Sequence, residues 1–504
     1  MKITIVGGGT AGWLAAMFVK KMRPVHTVTV IESSEIGIVG AGEGSTGLFT
    51  DIIENTLWHF GCNEEEFLRE TSATIKLGIK HKGWWGGDLN YHYYGAIDVG
   101  PTAGNHDLDY AYAESIKRYG KEGIHKMSFL GNVLDKKKNT FYDDGHIFNR
   151  NTRQGSYHFD AHKVGTYFKK VCGSGVINID AKIVDVILSE QGNIQSVKLD
   201  TGVTHEADFF IDASGFSKIL MNKLGGKWVS YRDNLPLNSA MPFFLPHDEE
   251  IEPVTTAWAQ PNGWMWQIPT QERYGCGYVF CDAFVTADQA HAELEQTIGK
   301  KIEPIRVLKF DAGRQEKLWI KNCLSIGLAG SFAEPLEATS IHTTIVQLES
   351  FVTQYLKSTA EDTINDGSIN IYNKRMAQMY DDIKDFLVVH YQGGRKDSEF
   401  WKMISSGKTQ TEFVKNLLDM CKTKIPSYTD FNTYFRALDW PLYSYVLAGL
   451  GIITPEVAQK ELNLKRVNDS AGLLMSALEE QNENQIAPLI DNTKWIKQLN
   501  SIKV

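Results

Sequence analysis

A short apolar run, Lys2–Val6 (KITIV), passes directly into Gly7-Gly8-Gly9-Thr10-Ala11-Gly12, and this junction constrains the chain more than any other feature. Glycines 7, 9 and 12 meet the G-x-G-x-x-G spacing. The first permits a tight turn, the second lets backbone approach a pyrophosphate, and the third allows close helix–strand packing. The apolar stretch Trp13–Lys21, stopped by Pro24, reads as the following helix. Its N-terminus, at Thr10 and Ala11, offers free N–H groups and a favourable dipole to phosphate. A second strand, Thr27–Ile31, ends on Glu32, twenty residues beyond Gly12, where an acid should bind a ribose hydroxyl. The order predicts a Rossmann-like dinucleotide-binding module of α/β class. No second fingerprint follows, so one dinucleotide is simpler than FAD plus a tightly held NADPH.

At 504 residues the chain exceeds one compact core, since cores stop growing near ~250–300 residues. Strand signals at Val176–Leu199, Phe209–Phe216 and Leu324–Gly330 return to the nucleotide module. That module is therefore expected to be discontinuous within 1–350, over about 1–80, 150–235 and 300–350. An aromatic-rich sheet layer is expected at about 236–299, and a mainly helical region at 351–504 that contributes to a substrate pocket. The polar stretch 135–151 reads as a loop or hairpin.

Several classes drop out. With Lys+Arg 52 against Asp+Glu 61 the net charge is −9, so no basic excess exists to neutralise nucleic acid. No apolar run reaches ~18 residues, so no membrane span is expected. Six cysteines without a C-x-x-C pair, and no room for a signal peptide, point to a reducing, cytoplasmic setting. Ser405–Thr409 mimics the end of a P-loop but lacks its leading glycine. His158 and His162 stand four apart with no third ligand nearby, so no metal centre is expected. No G-x-S-x-G or H-E-x-x-H occurs.

The opening GGGTAGW, TIKLGIKHKGWW, YHFDAH, DASGF, WMWQIP and FAEPLEATS together resemble the flavin-dependent tryptophan-halogenase family, in order from residue 2 to about Gly451. The most specific of these is Trp264-Met265-Trp266-Gln267-Ile268-Pro269, which matches the W-x-W-x-I-P signature. The resemblance implies a flavoprotein-monooxygenase-type FAD module and an oxidoreductase that uses FADH2, supplied by a separate flavin reductase, together with O2 and halide. Hypohalous acid made at the flavin would pass through a tunnel to Lys76 and Glu337, the catalytic pair, and halogenate a small electron-rich aromatic such as an indole. At Lys76 an ammonium could hydrogen-bond the oxidant, or a neutral amine could form a haloamine. Trp264 and Trp266 would separate flavin from substrate.

By the same resemblance, Thr339 and Ser340 would hold halide. Val39, Ala41 and Glu43, within the glycine-rich strap 39–46, would touch the flavin together with Asp212, Gly327 and Ile341. His92, Phe400, Trp401, Tyr443 and Ser444 would line the substrate pocket. Two departures bear on specificity. The family's Ser-Thr-Gly after the glutamate is Ala338-Thr339-Ser340 here, which suggests bromide or iodide over chloride. A tyrosine that helps hold tryptophan's amino-acid part is Ser444, which argues against free tryptophan. An aromatic hydroxylase, or a non-catalytic FAD-binding protein, are the competing readings. Assembly as a homo-oligomer is left open.

Overall fold

The computed structural model describes residues 1–37, 42–98, 108–152, 154–431, 440–464 and 471–502. Its architecture is mixed α/β, built on two sheets.

The first sheet has six strands in the order Trp319–Ile320, Cys323–Ser325, Phe209–Asp212, Lys2–Val6, Thr27–Glu32 and Val176–Asp180. All its pairings are parallel except the one at one edge, between 319–320 and 323–325. Its central strands are continuous β-branched and apolar runs, as burial on both faces requires. Helix Thr10–Met22 follows the glycine turn and is buried from Gly12 to Val19. It is apolar nearly all round because it sits inside the protein, against helices Ala161–Cys172 and Thr339–Ser350.

The second sheet has seven strands: Leu308–Lys309, Ser239–Leu245, Tyr274–Phe280, Gly263–Pro269, Val254–Gln260, Gly78–Lys82 and His92–Ala96. It reaches beyond the 236–299 expected from sequence, because strand 78–82 pairs in parallel with 254–260 and carries 92–96 with it. Short strands hide this, since a five-residue segment gives little periodic signal. A three-stranded ribbon of Glu43–Gly44, Ser156–Phe159 and Thr74–Lys76 joins the two sheets.

Other departures are local. Residues 176–199 form three strands rather than two. The polar stretch contains strand Lys138–Tyr142, which pairs with Leu489–Asp491, so the C-terminal region is helical but for that strand. His158 lies in a strand and His162 in a helix, so they share no helix face. Among the described residues no helix is long and apolar enough to cross a membrane. All six cysteines are buried and free.

Candidate active site

The glycine turn has the geometry its spacing predicts. Gly7 adopts φ +116°, and a Cβ there would lie 2.2 Å from the Ala213 carbonyl oxygen, so only glycine fits. A Cβ on Gly12 would meet the Gly7 carbonyl oxygen at 1.9 Å. Gly9 caps the helix without any side-chain hydrogen bond, leaving the N–H groups of Thr10 and Ala11 open to an anion. Glu32 lies over Gly8, accepts from Trp13 Nε1 at 3.1 Å and pairs with Lys169 at 2.9 Å. Gly327 brings the opposite wall up to Ala11. This combination of uncapped helix, acid and open backbone fits the ADP half of FAD. Asp212 is different: its buried carboxylate accepts from Ser214 N and Oγ, Leu220 N and Met221 N. It shapes the adjoining loop and has its oxygens spent there.

Beyond the turn lies a cavity of about 190 Å³. Glu43, Gly44, Lys76, Trp266, Thr339, Ser340 and Ile341 line it. Helix Thr339–Ser350 begins at Ala338, which is in the left-handed region at φ 53°, and no side chain caps it. Its first N–H groups therefore remain available at the cavity. Glu43, on the strap, has its carboxyl raised to about 7 by burial and by nearby Asp160. Val39 and Ala41 lie outside the described residues.

Lys76 ends strand Thr74–Lys76, whose register with Ser156–His158 fixes it facing the cavity. It is 2% exposed, and its Nζ donates to the Ser45 carbonyl at 3.1 Å. A Cβ on Gly44 would lie 3.4 Å from that Nζ and 3.6 Å from Ala338 Cβ, so the strap passes between the amine and the loop at Ala338. Burial pulls the amine down to about 8, and the Glu337 carboxylate partly offsets this.

Glu337 faces the other way. Leu336 and Ala338 line the cavity, whereas the Glu337 carboxylate accepts from His390 Nε2 at 2.7 Å and His81 Nε2 at 3.1 Å. Desolvation would raise its carboxyl, but the two histidine donors outweigh that and hold it well below the usual carboxylate range. His390 Nδ1 lies 2.9 Å from the Phe386 carbonyl oxygen, which can only accept. Both His390 nitrogens thus stand against acceptor oxygens, one on the Phe386 backbone and one on Glu337. His81 stacks on Tyr93 at 4.7 Å.

A chain of indoles leads from the cavity to the two histidines. Trp266 lines the cavity and contacts Trp264 at 6.4 Å, and Trp264 contacts Trp84 at 6.3 Å. Trp84 in turn lies 6.4 Å from both His81 and His390. Buried Glu334 anchors this wall by accepting from Trp264 Nε1 at 3.1 Å and from the Tyr391 hydroxyl. Its carboxyl is raised to about 7 by burial.

The expected pocket residues are placed unevenly. Strand alternation puts His92 on the face of Lys82 and Tyr94, whereas Tyr93 faces His81 and the site. Phe400 and Trp401 are buried, with Trp401 against Trp84 and Tyr391. Tyr443 packs on Phe386, which itself packs on His390. Ser444 is buried, and its hydroxyl has no partner among the described residues. Sequence reasoning missed His81, His390, Glu334, Trp84 and Tyr391. Glu334 stood three residues before Glu337 in the same motif, but the two histidines meet only through the fold.

A family model for tryptophan halogenase matches residues 2–464. Tryptophan 7-halogenase RebH of Lentzea aerocolonigenes is 28% identical, over 99% of this chain and 98% of its own. The 7-chloro-L-tryptophan 6-halogenase KtzR of Kutzneria is 30% identical, over 90% of this chain and 92% of its own. Among solved structures, Tar14, a tryptophan C-6 flavin-dependent chlorinase from taromycin biosynthesis, matches with TM-score 0.87 and 28% identity over 99% of both chains. A tryptophan halogenase from Shewanella frigidimarina shares the fold with TM-score 0.90 at 22% identity, over 100% of this chain and 98% of its own. With a family model spanning nearly the whole chain and relatives matched over almost their full length, the chain belongs to the tryptophan halogenase family and is a flavin-dependent halogenase.

Proposed function

We propose that this enzyme halogenates a small electron-rich aromatic, an indole rather than free tryptophan, with bromide or iodide favoured over chloride. The observation that carries the reading is the back-to-back placement of Lys76, which faces the cavity, and Glu337, which faces the histidine side, flanked by a chain of tryptophans that runs from the cavity to those histidines. The glycine turn and Glu32 would hold the ADP half of FAD, and the cavity would hold its ring system. Bound in its reduced form, FAD would supply, with O2, the two-electron oxidation of halide to hypohalous acid. Reduced FAD comes from a separate reductase, since the chain carries a single dinucleotide fingerprint.

Each side chain then has a task. The uncapped N–H groups at Thr339 and Ser340 hold halide. Trp264 and Trp266 keep the aromatic away from the flavin. Lys76, below its value of about 8 at neutral pH, acts as an ammonium that hydrogen-bonds and polarises the oxidant after its passage through the interior. Glu337 takes the ring proton. A carboxylate held so acidic is a weak base, but an arenium ion is acidic enough to need no stronger one. Ser444 in place of a family tyrosine supports a substrate without tryptophan's amino-acid part. Ala338 and Ser340, which replace a hydroxyl and a glycine at the halide loop, support the larger and more easily oxidised halides.

Indole incubated with reduced FAD, a flavin reductase and bromide should give a product with the bromine isotope doublet by mass spectrometry. A single added oxygen would instead identify a hydroxylase, and unchanged indole would favour a non-catalytic flavoprotein. In a competition with equal chloride and bromide, brominated product should dominate, and equal use of chloride would remove the halide preference.

Gly277 offers a structural test. It pairs with Trp266 across the sheet, and a Cβ there would lie 2.0 Å from the indole. Gly277→Val should push Trp266 into the cavity and weaken FAD binding by about tenfold (~1.4 kcal/mol), read by flavin-fluorescence titration, while the protein stays folded.

A further inference from the structure

The side chains gathered around Glu337 have a second capacity. His81 Nε2, His390 Nε2 and a Glu337 oxygen lie within 4.8 Å of one another and converge from a strand, the end of a long helix and a short helical turn. Two imidazoles and one carboxylate are a ligand set for divalent transition metals, with positions left for water. We propose that His81, His390 and Glu337 form a binding site for a divalent transition metal such as Zn²⁺, and that its occupation switches the halogenase off.

Three features make the group a built site. His390 is anchored by its Nδ1–H bond to the Phe386 carbonyl, the outer-shell contact that frees Nε2 to ligate. His81, 1% exposed, is held by stacking on Tyr93, and its Nδ1 has no hydrogen-bond partner among the described residues. Its imidazole can therefore carry its proton on Nδ1 and turn the Nε2 lone pair towards the triad without breaking another contact. Glu337 retains 14% side-chain exposure, so the triad opens towards space that a hydrated ion and its waters can reach. Binding would exchange the hydrogen bonds to Glu337 for metal–ligand bonds, with the His81 proton moving to Nδ1 and the His390 Nε2 proton released to water. The ion would then occupy the carboxylate that accepts the substrate proton, so the inhibitory part rests on the role given to Glu337.

The test is titration of the chelator-treated full-length enzyme with Zn²⁺ by calorimetry, and with Co²⁺ by visible absorption. One equivalent should bind, with weak ligand-field bands of nitrogen and oxygen ligation and no intense thiolate band. His81→Phe and His390→Gln should each weaken binding by about 100-fold or more, since even outer-shell changes cost 10–100-fold. No binding, binding unchanged in both variants, or a thiolate band would overturn the site. Halogenation by the parent enzyme should fall in proportion to Zn²⁺ occupancy. If Zn²⁺ binds while Glu337→Gln keeps full activity, the metal site stands and the catalytic reading of Glu337 fails. Full halogenation with Zn²⁺ bound would refute the switch.

Discussion

Lys76→Ala should abolish ring halogenation, by ~10²–10³-fold or more, while reduced flavin bound to the variant is still reoxidised by O2. The amine both lines the cavity and feels the Glu337 carboxylate. On the proposed reading, the oxidant would then lack the donor that polarises it and be lost to water. Product by chromatography and flavin absorbance by stopped flow separate the two steps, and unimpaired halogenation would refute the role. The same geometry predicts a pH dependence. The ammonium form declines above pH 8, so transfer to the ring should fall across an alkaline limb centred there. A rise instead would favour the neutral amine. Stability runs the opposite way. Because the folded value of about 8 lies below the ordinary 10.5, the unfolded chain binds more protons between those pH values, and stability rises with pH through that window. Below it the full cost of burying the charge is present. Lys76→Met should therefore stabilise the protein at pH 7, on the order of 2 kcal/mol after allowing for the lost Ser45 hydrogen bond, while remaining inactive. Thermal unfolding checks it.

Glu337→Gln should lower halogenation by ~10²–10⁴-fold and leave FAD binding and flavin reoxidation unchanged. An amide cannot accept the proton that leaves the ring, while its Oε1 can still receive both imidazoles, so the fold around it is kept. Since the Glu337 carboxyl is held well below its ordinary 4.5, it stays ionised throughout the working range. It contributes no titration near neutrality, and the alkaline limb in the parent enzyme belongs to Lys76. The measurement is the rate of product formation against pH in both proteins. A variant that keeps the parent rate would leave Glu337 a merely structural acid.

How much of this could be read beforehand follows from how local each signal is. The glycine turn, its helix and Glu32 lie within one stretch of the first thirty-two residues, and their geometry is dictated by sterics that sequence states directly. Lys76 and Glu337 were legible through motif resemblance. His81 and His390 were not, because 309 residues separate them and neither has a local partner that marks it. His92 shows the limit of a motif match: the side chain at the next position, Tyr93, turns inward, and the face is decided by register with 78–82. Asp212 is a similar case, since a motif acid can serve the loop that carries it.

The stretch from Thr74 to Lys82 runs extended through both the ribbon and the large sheet, with Leu77 tied to Pro253 by its N–H and to Ile97 by its carbonyl. Lys76 and His81 are thus stations on one taut cord, five residues or roughly 16 Å of backbone apart. Lengthening surface loops elsewhere leaves that interval untouched. One residue inserted between them would do the reverse: it would turn His81 outward and part it from Glu337 while Lys76 kept its place.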